Sequence, residues 1–245
     1  MDLQESIAAL EEFLSCLKAR EVPRMFSEEA ERAAKCTEGY RYFTKKYGME
    51  PRSFAHEQMM WTIVDLAWTQ QLARTFGGLR VLEVMSGVGW LAKALRTHGV
   101  DVTATDRMDW RKDWAPNFGE TVTEVEELSA PDAVAKYGAT SDVLILAWPS
   151  SSDDANAAEL WGSEKPIYYI GERPGGCTGS DRFFAGFVPE TRFEVPRFNG
   201  NWDRLFIGRF DQVKAATPLE CDDMGYPRYD WPAEIPLLTC DLQDA

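Results

Sequence analysis

The stretch RVLEVMSGVGWLAKALRTHGVDVTATD, Arg80 to Asp106, constrains this chain more than any other. A short apolar run enters a turn with glycines at 87 and 89. It then becomes a helical pattern and returns as a second apolar run ending in an acid. Strand, turn, helix and strand in that order make a βαβ unit, because a crossover helix lets two neighbouring strands run parallel. The pattern continues through "TVTEVEEL", "SDVLILAWP" and "PIYYIGER", with "APDAVAKYG" long enough for another crossover helix. The reading is a doubly wound α/β fold with a mostly parallel seven-stranded sheet. Near the end, "RFEVPRF" and "RLFIGRF" are joined only by "NGNWD". That link is too short for a helix, so these two strands are expected to be antiparallel.

The residues before this unit read as helical. "LQESIAALEEFLSCLKAR" carries Ile7, Leu10, Leu14 and Leu17 at helical spacing, and "SEEAERAAKCTEGYRYFTKKYG" follows with Ser27 as its cap. "PRSFAHEQMMWTIVDLAWTQQLARTF" reads as one third helix, ended by Gly77 and Gly78. This divides the chain into a helical extension or lid (1–78), a Rossmann-like core (79–212) and an irregular tail packed on it (213–245). With 44% apolar residues in 245, one substantial core is expected.

Charge and composition remove several function classes. A net charge of −14 argues against a broad nucleic-acid interface, whose phosphates need Lys and Arg. Cys16, Cys36, Cys177, Cys221 and Cys240 form no CxxC pair. With no leader and no long apolar run, the expectation is a soluble, reduced, cytoplasmic protein without a membrane role. Only His56 and His98 are present, so no histidine-rich metal site is expected. A Ser–His–Asp hydrolase would have to rest on one of them.

The glycine turn has two ligand readings. Gly87-Val88-Gly89-Trp90-Leu91-Ala92 satisfies GxGxxA, and Asp106 stands at the spacing of a ribose-binding acid, which suits NAD and an oxidoreductase. Taken singly, the glycines could serve only to turn a strand into a helix, and Asp106 could cap "RMDWRKDW". Glu83 favours another ligand. A carboxylate at the end of the first strand repels a pyrophosphate but pairs with an amino group, and it is expensive to bury without a partner. S-adenosylmethionine (SAM) carries an amino group and a sulfonium and no phosphate.

On these residues the chain resembles the class I SAM-dependent methyltransferases, over roughly Arg80 to Phe210. "LEVMSGVGW" is similar to that family's first motif, Asp106 to its ribose acid, and "SDVLILAWPS" to its fourth-strand motif. The closing antiparallel pair is also what that sheet has. Met85 departs from the pattern, standing where the family has its first glycine. The resemblance implies SAM as cofactor, bound by Glu83, Met85, Ser86, Gly87, Gly89, Trp90, Asp106, Arg107, Ser129, Ala147 and Trp148.

Acceptor residues are expected at the same sheet edge. Trp148, Pro149 and Ser150 resemble the Asn/Asp-Pro-Pro-aromatic grip of amino-methylating relatives. Ala147 replaces the polar first residue, so methylation of a base amine is not supported. "GERPGGCTGSDRFF" supplies Glu172, Arg173 and Cys177 as substrate contacts, with Glu172 and Asp181 as candidate bases. Tyr40, Tyr42, Phe43, Tyr47, His56, Met59 and Trp61 suggest an aromatic lid suited to a sulfonium. In it Tyr47 is a substrate contact and His56 a third candidate base. For each of these the plainer reading is core packing. The activity expected is methyl transfer to a small molecule or a peptide. Met85 and the altered fourth-strand motif also motivate a non-catalytic SAM-binding or regulatory module.

Overall fold

A computed structural model describes residues 3–113, 119–149, 153–198 and 202–238. Strands β1 (Val81–Val84), β2 (Val102–Asp106), β3 (Glu126–Glu127), β4 (Val143–Ala147), β5 (Ile167–Gly171), β6 (Phe187–Phe193) and β7 (Arg204–Phe210) form one sheet. Their order is β3-β2-β1-β4-β5-β7-β6. The first five are parallel, and β7 lies antiparallel to both β5 and β6. The strand order reverses at β1, between β2 and β4. In such sheets ligands bind beyond the carboxyl ends at that switch point.

Helices α1 (Leu3–Lys18), α2 (Glu28–Lys35), α3 (Thr37–Tyr47), α4 (Pro51–Glu57) and α5 (Leu66–Phe76) precede the sheet. Within and after it come α6 (Trp90–Thr97), α7 (Trp110–Asp113), α8 (Ala130–Tyr137), α9 (Asp153–Trp161), α10 (Asp181–Gly186) and α11 (Gln212–Ala216). Alternate strand residues face opposite layers. Val81, Val143, Ile145 and Ile170 share a core with the amino-terminal helices and α6. Leu82, Val84, Leu144, Leu146 and Tyr169 share the other with α8, α9 and α10. The amino-terminal helices are thus one covering layer of the sheet. Phe13 of α1 meets Phe26 and Phe198 edge-on at 4.9 and 6.3 Å, coupling that layer to the segment before β7.

Four elements differ from the sequence reading. The expected third helix is two. α4 ends at Gln58 and Met59, the latter at φ 57°, and Asp65 starts α5 anew. The Asp65 carboxylate accepts from Trp68 N at 3.0 Å and Phe26 N at 2.8 Å, an N-cap that also pins the chain ahead of α2. The second helical stretch divides at Cys36, whose thiol accepts from Gly39 N at 3.2 Å; Ser27 caps α2 as expected.

Strand β6 begins at Phe187, earlier than "RFEVPRF" suggested, and ends at Phe193. Val195 and Phe198 turn instead into the amino-terminal core, and Pro189 is tolerated because β6 is the edge strand and bulges there. Finally, "TVTEVEEL" pairs only at Glu126–Glu127. Its earlier part lies over the glycine turn, with Val122 N bonded to Val88 O at 2.9 Å.

Candidate active site

The carboxyl ends of β1, β2 and β4 open into a cleft of about 290 Å³. Its walls include Glu83, Met85, Ser86, Gly87, Trp90, Asp106, Arg107, Ala147 and Trp148, so most of the expected cofactor set meets in one place. Residues from 59 to 64, the non-helical link between α4 and α5, form another wall, with Met59, Trp61 and Thr62 among the lining residues. Trp90 Nε1 donates to Gln58 O at 2.8 Å and fastens that link to α6.

The turn after β1 is built around Asp106. One carboxylate oxygen accepts from Gly87 N at 2.8 Å, the other from Met108 N at 2.6 Å. Ser86 donates through both N and Oγ to Thr105 O, each at 3.1 Å. The end of β2 therefore sets the conformation of the turn, and burial raises the Asp106 pKa. A Cβ added at Gly87 would touch nothing within 4 Å, and Gly87 itself lines the cleft. At Gly89 it would meet Thr123 and Val125 at 2.8 Å, so that glycine serves packing and does not line the cleft.

Glu83 is the least comfortable residue of the site. It is 1% exposed, between Ala104 and Ile145 on the neighbouring strands. Ala92 N donates to its carboxyl, while Oε2 has no partner. Arg96 is the nearest balancing charge, yet its N–H groups go to Val102 O, Glu124 O and Thr123 Oγ1. Burial therefore pushes the Glu83 pKa from 4.5 to about 8.

Backbone strain gathers here too. Met59, Met85 and Trp148 line the cleft at φ 57°, 58° and 54°, and Met108 beside it is at 59°. Non-glycine residues in the left-handed region cost about 1–2 kcal/mol each and collect at functional sites. Met85, where the family resemblance expects a glycine, thus takes a backbone conformation that glycine favours.

Trp148 is held from both sides. Its ring stacks on Trp61, centroids 5.6 Å apart and 18° between planes, and Nε1 donates to Asp203 Oδ1 at 2.8 Å. Asp203 is fully buried, also accepts from Thr62 Oγ1 at 3.0 Å, and is pushed by burial up to about 6. Sequence reasoning missed Asp203. The available signal was an acid beside a tryptophan just ahead of the reversed strand, whose start lies at the functional edge.

The other expected residues lie elsewhere. His56 packs on Trp61 at 4.6 Å outside the cleft lining, and its Nε2 is buried without a partner. Burial lowers its pKa to about 4, so the ring is neutral at pH 7 and a weak base. Tyr47 is stacked on Phe43 and edge-on to Phe54, a packing role, and Tyr40 and Tyr42 are exposed. Ser129 caps α8, accepting from Asp132 N at 3.3 Å; its neighbour Ala130 lines the cleft. Arg107 pairs with Asp109 and, at 3.0 Å, with Asp153.

Glu172 accepts from Cys177 N at 2.8 Å and Sγ at 3.2 Å, and with Arg173 it lines a second cavity. Burial and Glu172 raise the Cys177 pKa, which makes it a poor nucleophile. Asp181, in the first turn of α10, accepts from the Tyr229 hydroxyl at 2.5 Å. Pro149 O accepts from Gly179 N at 2.9 Å, and Ser150 lies outside the described residues.

Sheet order, the single reversed strand and a cleft at the β1 switch point now stand together. This is the sheet order expected from the resemblance to the class I methyltransferases. Solved structures of similar shape include magnesium protoporphyrin IX methyltransferase from Synechocystis with bound SAM. It is 14% identical over 74% of this chain and 95% of that one, with TM-score 0.41. The 1,6-didemethyltoxoflavin-N1-methyltransferase of Burkholderia thailandensis, with its substrate and S-adenosylhomocysteine bound, is 16% identical over 60% and 78%, TM-score 0.40. A SAM-dependent methyltransferase from Archaeoglobus fulgidus is 12% identical over 69% and 98%, TM-score 0.40. No protein-family model and no curated protein matches the chain. Among the described residues no helix is long and apolar enough to cross a membrane.

Proposed function

We propose that this chain is a SAM-dependent methyltransferase acting on a small molecule or a peptide side chain. One observation carries the reading: a buried carboxyl, Glu83, with an unpartnered oxygen, lines the cleft beside Gly87 and Asp106. An orphaned buried carboxyl oxygen suits a cationic amino group, and the cofactor's residues fit in kind. Glu83 would take the amino group, Asp106 the ribose hydroxyls, and the Gly87 backbone would allow close approach. Bound there, the cofactor supplies an electrophilic methyl group on a sulfonium.

The chain's own work is positioning and screening. Trp148 and Trp61, stacked on each other in the cleft wall, would offer aromatic surface to a cation bound there. Asp203 fixes the Trp148 ring through Nε1 and acts as a positioning residue. Little acid–base chemistry is asked of the site, and most of the rate would come from holding an acceptor in line. Of the expected bases, Glu172 lies in the lining of the second cavity, beside Arg173.

The oxidoreductase alternative is disfavoured by the same residue, because a pyrophosphate over Gly87 would sit against Glu83. A non-catalytic module would keep SAM binding and lack turnover. Calorimetric titration with SAM, S-adenosylhomocysteine and NAD, with Asp106→Ala as control, tests the proposal. Micromolar SAM binding weakened by the substitution supports it; NAD binding alone refutes it. Release of S-adenosylhomocysteine on incubation with SAM and cell extract then separates enzyme from module.

A further inference from the structure

The second cavity, of about 1060 Å³, opens at the same edge of the sheet, between the loop after β5, the end of β6 and the start of β7. Its lining is unusual for a chain of net charge −14, because Arg173, Arg192 and Arg204 all face it. Arg197 stands close by, over the Trp202 ring at 5.9 Å, with Nη1 buried and unpartnered. Against these four guanidiniums the main counter-charge is Glu194, shared between Arg192 and Arg204. Glu172, which accepts from Cys177, and Glu234, exposed at the rim, also line it, so three carboxylates stand against four guanidiniums.

The arginines are also braced. Arg173 donates to Pro232 O at 2.7 Å, Arg192 Nε to Ile235 O at 3.1 Å, and Arg204 Nη1 to Trp202 O at 3.2 Å. Bracing by backbone carbonyls orients guanidiniums without neutralising them. Mutual repulsion is visible in Arg204, whose pKa is lowered by burial and then by Arg197, Arg192 and Arg173 in spite of Glu194. Oriented, under-neutralised guanidiniums are the usual means of gripping a planar oxyanion. Beside them Trp202, 64% exposed, presents aromatic surface.

We infer that this cavity binds an organic oxyanion, a carboxylate or phosphate on a planar apolar body, with the arginines on the anion and Trp202 on the body. Asp203 places the site in relation to the cleft. Its chain neighbours Trp202 and Arg204 line the second cavity, while its carboxylate reaches Trp148 and Thr62 of the first. Asp203, buried itself, thus ties a wall of one cavity to a wall of the other, and an acid held in the second would be the methyl acceptor. That last role rests on the proposed methyl transfer; anion binding does not.

Calorimetry with indole-3-acetate, its neutral analogue indole-3-acetamide, and phenyl phosphate tests the inference. At least one anion should bind, and indole-3-acetate or phenyl phosphate should exceed the acetamide by about tenfold or more. The tighter of the two anions names the group, carboxylate or phosphate. Arg204→Gln and the exposed Arg173→Gln should each cost about tenfold for the anion and leave SAM affinity unchanged. Unchanged melting of Arg173→Gln guards against a folding artefact. Failure of both anions to exceed indole-3-acetamide, no binding of any probe, or indifference to both substitutions would overturn it. Anion binding without SAM binding would break the proposed function alone, and SAM binding without anion binding would break this inference alone.

Discussion

Two glycine-bearing loops leave the same edge of the sheet, and they are built on opposite principles. After β1, Gly87 faces open space and the neighbouring Glu83 keeps a buried oxygen without a partner. After β5, the loop satisfies itself. A Cβ at Gly171 would strike Thr178 Oγ1 and the Tyr169 hydroxyl at 2.7 Å, one at Gly176 would strike Glu172 at 2.4 Å, and one at Gly179 would strike Phe184 at 2.7 Å. The Tyr169 hydroxyl meets Thr178 Oγ1 at 2.7 Å and donates to Glu172 O at 2.7 Å. Each loop has an open glycine, Gly87 and Gly175, with packed glycines beside it, so the difference lies in polar satisfaction: beside the first a buried carboxyl oxygen goes unmet, while the second meets its own needs. Unmet hydrogen-bonding capacity, not glycine, separates a ligand cradle from a tight fold.

The comparison can be broken at four points. Asp106→Ala should have the largest effect, about a hundredfold loss of SAM affinity, or ~2.7 kcal/mol, because it frees Gly87 N and Met108 N and removes the ribose acceptor. Titration calorimetry reads it; an unchanged affinity would detach Asp106 from the cofactor. Gly171→Ala should cost roughly 1–3 kcal/mol of stability by chemical denaturation while leaving SAM affinity intact in the folded fraction. If Gly87→Ala cost as much stability and spared SAM binding, the contrast between the loops would collapse.

Glu83→Gln sharpens the comparison through pH. The folded pKa of about 8 stands above the ordinary 4.5, so the unfolded state ionises first. Stability of the unliganded protein should therefore fall as pH rises from about 4.5 to about 8, and Glu83→Gln should flatten that decline in melting temperature. Met85→Gly should have the smallest effect. Relief of a left-handed non-glycine residue should offset its lost side-chain packing to within about 1–2 kcal/mol and leave SAM affinity equal or tighter.

Much of this architecture was legible in the sequence, because each strand is a short apolar run and each crossover a helical one. The reversed last strand was legible too, although its partner began at Phe187 and the link was longer, since Val195 and Phe198 serve the other core. The break between α4 and α5 was hidden: "MMWTIVDLAW" is apolar enough to read as helix, and only Asp65's cap to both Trp68 and Phe26 explains the stop. The residues of the candidate cleft were read from Glu83, Gly87 and Asp106, which are local in sequence, while Gly89, expected beside them, serves packing. Asp203 and the arginine cavity were not, because they join residues from β5, β6, β7 and the tail that only the fold brings together.

Calorimetric titration of SAM into the wild-type protein at pH 7, in two buffers of different ionisation enthalpy, tests the central claim most directly. If Glu83 receives the amino group, binding should be micromolar and should release a proton, since a carboxyl with a pKa of about 8 must ionise to meet the cation. Glu83→Gln should abolish the release and weaken binding. No SAM binding, or binding with the same proton balance and affinity in Glu83→Gln, would contradict the account.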